Sequence, residues 1–389
     1  MTDRIYFDQA STSFPKAPNV AQAMYTYLTA LGMNVNRGCY EDAYAAEKIV
    51  FHTRKLLAQL FHFPKPANVI FTGNVTQSLN MLLKGLLRPG DHVLVSSMEH
   101  NAVMRPLVQL GKAGISFDRI PCRADGTMIL EKAEAMITPS TKAVITLHAS
   151  NVCGTHMPLA ELGDLCCRHH LFFLVDTAQT AGIFPLDMEK LHIDGLAFTG
   201  HKGIRGPQGT GGFLVSSQLA DQMEPLISGG TGSVSHTEQV PTFLPDRFEP
   251  GTPNLPGIFG LHAALKDLTP SSMEQIRNRE LALTGYFLEK LMELDPYEKH
   301  IKILGKKDLS MRSAVVSIQT LEQDMASVAW HLDQDYQIMT RVGLHCAPSA
   351  HKTLGTYPLG TIRFSFGPDN TEDEIDFCIK ALKELLEFY

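Results

Sequence analysis

Short apolar runs recur along the middle of the chain, and segments with helical spacing separate them. Because strands that are apolar throughout are buried on both faces, and the intervening segments are long enough for crossover helices, we predict a mainly parallel central sheet with helices on both faces. Ligands bind at the carboxyl ends of strands in such sheets, so the residues directly after each run are candidates for chemistry. The runs that predict strands are 69–71, 92–96, 115–120, 143–147, 171–175, 195–198 and 212–215.

Helical periodicity dominates after about residue 255. Capping boxes that begin at Ser271 and Thr371 predict the starts of two helices, and apolar runs at 314–318 and 361–365 predict strands of a second unit. A chain of 389 residues is also longer than one hydrophobic core usually supports. We therefore predict two domains, a large α/β domain over residues 15–255 and a smaller α+β domain formed by residues 1–14 and 256–389.

Composition narrows the range of partners. The chain carries 34 Lys and Arg against 41 Asp and Glu, a net charge of −7, so we expect neither nucleic acid nor an anionic membrane as a partner. No apolar run is long enough for a membrane span or a signal peptide, which favours a cytoplasmic enzyme. The seven cysteines contain no CxxC pair and predict neither a disulfide framework nor a metal site.

A lysine and an aspartate each follow a buried run. Lys202 lies between glycine-rich turns in the segment 198–212, where small neighbours leave room for a flat ligand, as a lysine that forms a Schiff base requires. Asp176 directly follows the 171–175 run, where a carboxylate is costly unless a cation compensates its charge. The protonated pyridine nitrogen of pyridoxal phosphate would provide that cation. A surface lysine in a turn and a helix-capping aspartate are the alternatives.

Other strand ends offer groups for a phosphate and for an aromatic ring. Thr76 lies where a helix is predicted to begin after the 69–71 run, and a helix N-terminus favours a phosphate. Thr199 and His201 beside the lysine could add donors, and His100 could stack on a pyridine ring. An ordinary N-cap is the alternative for Thr76, and any one of the sixteen histidines could be structural.

These segments together resemble the class V aminotransferase-related enzymes of fold type I, and among them the chain is most similar to cysteine desulfurases. The likeness runs from residue 6 to residue 371. It implies pyridoxal phosphate as cofactor and the α/β fold of that class, with a mainly parallel sheet and a smaller C-terminal domain. The segments that carry it are 6–12, 99–101, 148–155, 176–179, 199–202, 248–254 and 363–367.

The resemblance also implies a role for each matching residue. Lys202 would form the Schiff base with the cofactor and act in catalysis, and Asp176 would pair with the pyridinium. Arg363 would bind the substrate carboxylate with Asn151 close by, since a guanidinium suits a planar anion. The remaining implied cofactor contacts are stacking by His100, a hydrogen bond from Gln179 to the ring hydroxyl, phosphate contacts from Thr76, Thr199 and His201, and a phosphate contact from Thr252 across a homodimer.

One cysteine separates the desulfurase expectation from the aminotransferase expectation. Cys346 lies in a segment, 341–351, that resembles the catalytic-cysteine loop of the desulfurase branch related to selenocysteine lyases. Proline, glycine and small polar neighbours predict an exposed and mobile loop, and Arg341, His345 and His351 would favour the thiolate. A buried, inert thiol is the alternative, and it suits Cys166, Cys167 and Cys378 better.

We therefore expect a pyridoxal-phosphate-dependent cysteine desulfurase that converts L-cysteine to L-alanine and leaves a persulfide on Cys346. A sulfur-acceptor protein would be a further partner. Selenocysteine lyase, another carbon–sulfur lyase and a class V aminotransferase are alternatives on the same scaffold. A sulfur carrier that keeps the fold without turnover is a further alternative from another class of protein.

Overall fold

The computed structural model describes residues 4–35, 38 and 40–386. Its strands are β1 (Ile5–Tyr6), β2 (Val69–Thr72), β3 (His92–Ser96), β4 (Ser116–Ile120), β5 (Thr141–Leu147), β6 (Phe172–Asp176), β7 (Gly195–Thr199), β8 (Gly211–Val215), β9 (Ile301–Leu304), β10 (Val315–Thr320), β11 (Ile338–Met339), β12 (Arg341–Gly343) and β13 (Thr361–Ser365). Its α-helices are α1 (Val20–Thr26), α2 (Glu41–Leu60), α3 (Val75–Leu86), α4 (Asn101–Gly111), α5 (Leu130–Ala135), α6 (Leu159–Arg168), α7 (Ser217–Gln222), α8 (Leu255–Lys266), α9 (Pro270–Leu294), α10 (Met325–Gln334), α11 (Pro348–Leu354) and α12 (Glu372–Leu385).

The central sheet has seven strands in the order β2-β8-β7-β6-β5-β3-β4. The β4-β3-β5-β6-β7 part is parallel throughout, and β8 runs antiparallel to both of its neighbours, β7 and β2. All seven strands predicted from the apolar runs are present, and the mainly parallel α/β sheet is confirmed. The carboxyl ends of β5, β6 and β7 therefore lie side by side at one edge of the sheet.

Helices cover both faces of this sheet, as the apolar runs predicted. Alternate residues of one strand enter different cores: Leu94 of β3 belongs to one cluster, whereas Val93 and Val95 belong to the other. The first cluster includes residues of α6 and α8, and the second includes residues of α3 and α4. A strand buried on both faces needs an apolar residue at every position, which is why the runs were continuous.

A second, antiparallel sheet follows in the chain, with the order β12-β13-β10-β9. It packs with α9 and α12 in a third core cluster, which also contains Ile5 and Phe7 from the beginning of the chain. β1 pairs in parallel with β11, and Asp8 forms a bridge to Ser365 of β13. The beginning of the chain is thereby held beside the C-terminal sheet.

The two predicted capping boxes have different outcomes. Thr371 caps α12 and pairs reciprocally with Glu374, as the sequence predicted. The box at Ser271 was wrong, because α9 begins two residues earlier, with Thr269 as N-cap, Pro270 in the first turn and Ser272 as the reciprocal partner. Proline suits the first helical position, since the N–H it lacks has no partner inside a helix there.

The described cysteines, Cys122, Cys153, Cys166, Cys167, Cys346 and Cys378, are all free thiols. Cys39 lies outside the described residues. Within those residues, every helix is too short or too polar to cross a membrane.

Candidate active site

One cavity at the carboxyl edge of the central sheet brings together five of the residues predicted for the site. Asp176 ends β6, Lys202 follows β7, and Gln179 lies in the turn after β6. His100 and Asn151 reach the same cavity from the segments after β3 and β5. Four strand ends thus contribute to one site, as expected for ligand binding in a parallel sheet.

Burial and charge set the protonation of the lysine and the aspartate. Burial, and next the nearby Arg363 guanidinium, lower the pKa of Lys202 from 10.5 to about 8, against the opposing charge of Asp176. Burial raises the pKa of Asp176, while the backbone N–H of Ala178 and the charge of Lys202 oppose the rise. Asp176 Oδ1 accepts that N–H at 2.8 Å. The lysine is therefore more easily deprotonated than a lysine in water, and the carboxyl group favours a cationic partner.

His100 presents a neutral ring to the cavity. It is the N-cap residue of α4, and its Nδ1 accepts the backbone N–H of Ala102 at 3.0 Å. Burial lowers its pKa to about 4, and the positive charge of Lys202 adds to the effect. A nitrogen that accepts a backbone N–H is fixed in orientation, so the ring plane is held rather than free to rotate.

The N-terminus of α3 lies at the rim of the cavity. Asn74 is the N-cap of this helix and accepts the backbone N–H of Gln77, whereas Thr76 is exposed at the first turn. Val75 lines the cavity itself. A Cβ on Gly211 of β8 would come within 2.9 Å of the Asn74 Cα, so the absence of a side chain there lets the helix start approach the sheet.

Two other predicted phosphate-binding residues lie on either side of Gly200. Thr199 is buried, with its hydroxyl 3.4 Å from the Thr210 carbonyl oxygen that it donates to. His201 has its Nδ1 3.0 Å from the Thr12 hydroxyl, and burial lowers its pKa to about 4. Gln179 donates from Nε2 to the Ala10 carbonyl at 3.2 Å. Their contacts with a cofactor stay predictions.

Arg363 is held rigidly beside Asn151. Its guanidinium donates to the Asn151 carbonyl at 3.0 Å, and to the Asp8 carboxylate and the Ser11 hydroxyl at 2.8 Å each. Two buried polar atoms of this group, Arg363 Nε and Asn151 Oδ1, make no hydrogen bond within the described residues. Unsatisfied buried donors and acceptors are costly, and they mark a place where a polar ligand would be favourable.

Cys346 lies on a short connection between β12 and α11, and it is fastened to the site from two sides. The backbone N–H of Asn101, next to His100, donates to the Cys346 carbonyl at 2.8 Å. Asn151 Nδ2 donates to the carbonyl of His345 at 2.7 Å. Cys346 is exposed, as the sequence predicted, and Arg341 Nη2 lies 3.9 Å from its Sγ. The backbone that carries the thiol is thus anchored next to residues that line the Lys202 cavity.

The two histidines near the thiol are buried and carry no charge. Burial lowers the pKa of His345 to about 2 and that of His351 to about 4. Each has one ring nitrogen beside a threonine hydroxyl, of Thr361 at 2.8 Å and of Thr356 at 2.7 Å. The expectation that they help Arg341 to favour the thiolate by their charge is therefore not supported, and Arg341 is the cation in contact with the sulfur.

Thr252 lies in a different cavity of the chain, beside Gly73 and Gln77 at the far side of the α3 N-terminus, and it is exposed. Glu249 fastens this segment to the sheet, because it accepts from Arg54 at 2.7 Å and from the backbone N–H of Phe71 at 2.5 Å. Thr252 is therefore not among the residues that line the Lys202 cavity of its own chain.

Sequence reasoning did not assign roles to Asp8, Ser11 or Asn101. Asp8 and Ser11 contact Arg363 across more than 350 residues, a separation at which spacing along the chain carries no signal. Asn101 acts through its backbone, which side-chain chemistry does not reveal. The only available signal for all three was that they belong to segments quoted for the family resemblance.

The fold and the clustered lysine, aspartate and histidine are those of an α/β enzyme with one buried lysine in its candidate active site. The family model of aminotransferase class-V proteins matches residues 5–377, and the chain belongs to that family.

Similar proteins span essentially the whole chain. A probable cysteine desulfurase of Pyrococcus abyssi is 33% identical, over 98% of this chain and 94% of its own length. Cysteine desulfurase CsdA of Escherichia coli is 29% identical, over the same shares. A solved apo structure of a cysteine desulfurase from Thermococcus onnurineus NA1 matches with a TM-score of 0.92 at 32% identity, covering 100% of this chain and 96% of that one. The fold is therefore that of the fold-type I enzymes, as predicted.

Proposed function

We propose that the protein is a pyridoxal-phosphate-dependent cysteine desulfurase, which converts L-cysteine to L-alanine and forms a persulfide on Cys346. The observation that carries the proposal is the anchoring of an exposed thiol beside the lysine cavity, through Asn101 next to His100 and through Asn151. An aminotransferase has no use for a thiol there. The names of the relatives support the same reaction.

The residues of the cavity fit pyridoxal phosphate. The buried carboxyl of Asp176 has a backbone donor on one oxygen and would hold the protonated ring nitrogen, while Lys202 offers an amine with a lowered pKa. The start of α3 at the rim offers N–H groups to a phosphate, with Thr76 at its first turn. His100 would cover the ring. When bound, the cofactor would supply an electron sink for the pair released at the substrate Cα.

Arg363 and Asn151 would bind the carboxylate of L-cysteine. The free Arg363 Nε is a donor, and Asp8 and Ser11 hold the guanidinium in place. The Asn151 amide lies beside it and is itself fixed by the His345 carbonyl. A guanidinium held by two partners loses little side-chain entropy when it binds a carboxylate, which favours one orientation of the substrate.

Lys202 and Cys346 would share the chemistry. Lys202 Nζ removes the proton from the substrate Cα and holds it for return. The Cys346 thiolate then attacks the substrate sulfur, so that an Sγ–S bond forms, the substrate Cβ–S bond breaks, and the electron pair and a proton pass to the carbon that becomes the alanine methyl group. Arg341 Nη2 lies 3.9 Å from Sγ, so a cation contacts the nucleophile.

The proposal includes a homodimer, a sulfur acceptor and a cytoplasmic location. Thr252 is exposed and does not line the Lys202 cavity of its own chain, which suits a phosphate contact in a second copy. A persulfide on Cys346 has to be discharged to an acceptor before the next turnover. A free catalytic thiol also requires a reducing compartment, which the cytoplasm provides.

The experiment incubates the purified protein, loaded with pyridoxal phosphate, with L-cysteine and no added thiol, and measures alanine, pyruvate and protein-bound persulfide. The expected result is one alanine and one persulfide per active site. Formation of pyruvate and ammonia would contradict the proposal and indicate β-elimination. Formation of a keto acid and pyridoxamine phosphate would indicate transamination. Faster turnover of selenocysteine than of cysteine would indicate a selenocysteine lyase, and absence of any cofactor absorbance would indicate a carrier without turnover.

A further inference from the structure

A second cavity, of about 560 Å³, lies on the outer side of the Cys346 connection, between α4 and α11. Asn101 and Pro348 form its inner end. The backbone of Asn101 donates to the Cys346 carbonyl, and Pro348 follows Cys346 by two residues, so the cavity lies beside the segment that carries the nucleophile. Its volume is in the range of sites that bind small ligands.

Three cations line this outer cavity, and no carboxylate does. Arg105 comes from α4, Arg119 from β4 and Lys352 from α11, and each side chain is exposed. None of the three takes part in an ion pair within the described ranges, where the cationic contacts are with the Phe117 ring for Arg119 and the Tyr357 ring for Lys352. The lining of this cavity is therefore positively charged, although the chain carries a net charge of −7.

The rest of the lining suits the remainder of a small anionic molecule. Met104 and Val108 of α4 provide apolar surface, and Ser349, Thr353 and Ser97 provide hydroxyl groups. Arg119 Nε donates to the Ser349 hydroxyl at 3.2 Å, which holds the guanidinium against the start of α11. A guanidinium and an ammonium facing one cavity attract an anion more strongly than either does alone.

Building on the proposed desulfurase activity, we propose that the outer cavity binds the carboxylate groups of a small anionic thiol, which accepts sulfur from Cys346. The acceptor thiolate attacks the outer sulfur of the persulfide. A bond forms between the two sulfurs, the Sγ–S bond breaks, and Cys346 leaves as a thiolate. Sulfur moves as a neutral atom with its proton, so the transfer requires no external oxidant or reductant. The cations both bind the acceptor and favour its thiolate.

The test separates persulfide formation from persulfide discharge. The holoenzyme is first converted to the persulfide with one equivalent of L-cysteine, and the alanine released measures the proposed function alone. Either mercaptosuccinate, an anionic thiol, or 2-mercaptoethanol, a neutral one, is then added, and loss of the persulfide is followed in time. Each variant is compared with the parent protein for the same thiol, so differences in intrinsic thiol reactivity cancel.

The variants are Lys352→Gln and the pair Arg105→Gln with Lys352→Gln. The expected result is a discharge rate with mercaptosuccinate that falls several-fold in the single variant and about tenfold or more in the double variant, with the rate for 2-mercaptoethanol unchanged. Lys112→Gln, which removes an exposed cation at the end of α4 outside the cavity, should change neither rate. Succinate should slow discharge by mercaptosuccinate in the parent protein and not in the double variant.

Equal persulfide discharge rates of the parent protein and the double variant with mercaptosuccinate would overturn the assignment. An equal fall in the discharge rate with both thiols would also overturn it, because that result indicates a disturbed Cys346 connection. If Lys112→Gln lowered the discharge rate with mercaptosuccinate as much as Lys352→Gln, the effect would come from net charge in general and not from the cavity. If the parent protein releases no alanine with L-cysteine, the proposed function fails first, and the discharge step does not arise.

Discussion

Lys202 illustrates how the burial of one side chain changes its pKa. The sequence predicted from its glycine neighbours that Lys202 lies at a strand end. Its pKa is lowered by burial and next by Arg363, which comes from the other end of the chain. No local pattern around residue 202 contains that information. Position could be predicted from the sequence, whereas the pKa depends on residues brought together by folding.

We predict that covalent attachment of pyridoxal phosphate to the apoprotein accelerates about fivefold between pH 7 and pH 8, and levels off above about pH 9. Attachment requires the neutral amine, and the pKa of Lys202 is lowered to about 8, so the neutral fraction rises through this range as pH increases. The measurement is the initial rate of the absorbance change on adding cofactor. A rate that keeps rising to pH 10.5 would show an ordinary lysine, and Lys202→Ala should give no covalent product.

We predict that Cys346→Ser lowers alanine formation by on the order of 100-fold or more while cofactor absorbance is unchanged, because removing a nucleophile removes its step and not the binding of the ring. The sequence suggested a buried Cys167, and this was wrong, because Cys167 is an exposed free thiol on α6. Cys167→Ser is therefore the matched control. The measurement is alanine released per minute from L-cysteine. Equal activity of the two variants would contradict the assignment of Cys346.

At the scale of elements, apolar runs identified the strands almost to the residue. Strands such as β3, β6, β7 and β8 are buried at every position, whereas β4 at the edge of the sheet keeps exposed polar residues. Helix starts were less predictable. Ser271 with Glu274 and Thr269 with Ser272 are both acceptable pairs by residue type, and the choice between them depends on where α9 packs. Likewise Asn74 and not Thr76 caps α3. Both are polar residues that can accept a backbone N–H at a helix start, but only one residue can take the N-cap position.

The approach of β8 to the start of α3 gives a prediction at this scale. Gly211→Ala would place a Cβ 2.9 Å from both the Asn74 Cα and the Phe198 carbonyl oxygen, so backbone has to move. We expect a loss of about 1–3 kcal/mol in the free energy of unfolding, as for overpacked sites, and weaker retention of pyridoxal phosphate because the α3 N-terminus shifts. Denaturant unfolding and cofactor release during dialysis measure the two effects.

Gly111→Ala at the end of α4 is the control for that substitution. A Cβ there meets nothing within 4 Å, so the variant should be neutral or more stable by up to about 1 kcal/mol, and it should retain the cofactor. If Gly211→Ala lost stability but held the cofactor as firmly as Gly111→Ala, the link between β8 and the phosphate end of the cavity would be wrong.

At the scale of the whole molecule, the active site joins residues from nearly the full length of the chain. Arg363 of β13 contacts Asp8 and Ser11 from the beginning and Asn151 from the middle. Such a set cannot be assembled from spacing, and only the resemblance of the segments to a known family placed Arg363 and Asn151 in one site. The division into domains at residues 14 and 255 stays a prediction, and α8, directly after residue 254, packs against α1 and α2.

Two independent features of the surface support the proposed dimer. Thr252 is exposed, and four large apolar residues on α1, on residues 27–31 that follow it and on α2 are more than half exposed: Tyr25, Leu28, Tyr44 and Phe51. These helices pack on α8, which begins three residues after Thr252. Apolar residues exposed in such numbers favour burial against another surface. We propose that a second copy packs there and that Thr252 contacts the phosphate bound by that copy, as the family resemblance implies.

We therefore predict that the pair Tyr44→Glu with Phe51→Glu changes the protein from dimer to monomer in sedimentation equilibrium and weakens cofactor retention, because charges placed in an apolar interface are left without partners. Trp330→Glu, an equally exposed aromatic residue on α10, should leave the dimer intact. Thr252→Ala should weaken cofactor retention without dissociating the dimer. A monomeric parent protein that binds the cofactor firmly would contradict the shared site, since each chain would then hold the phosphate without Thr252 of a partner.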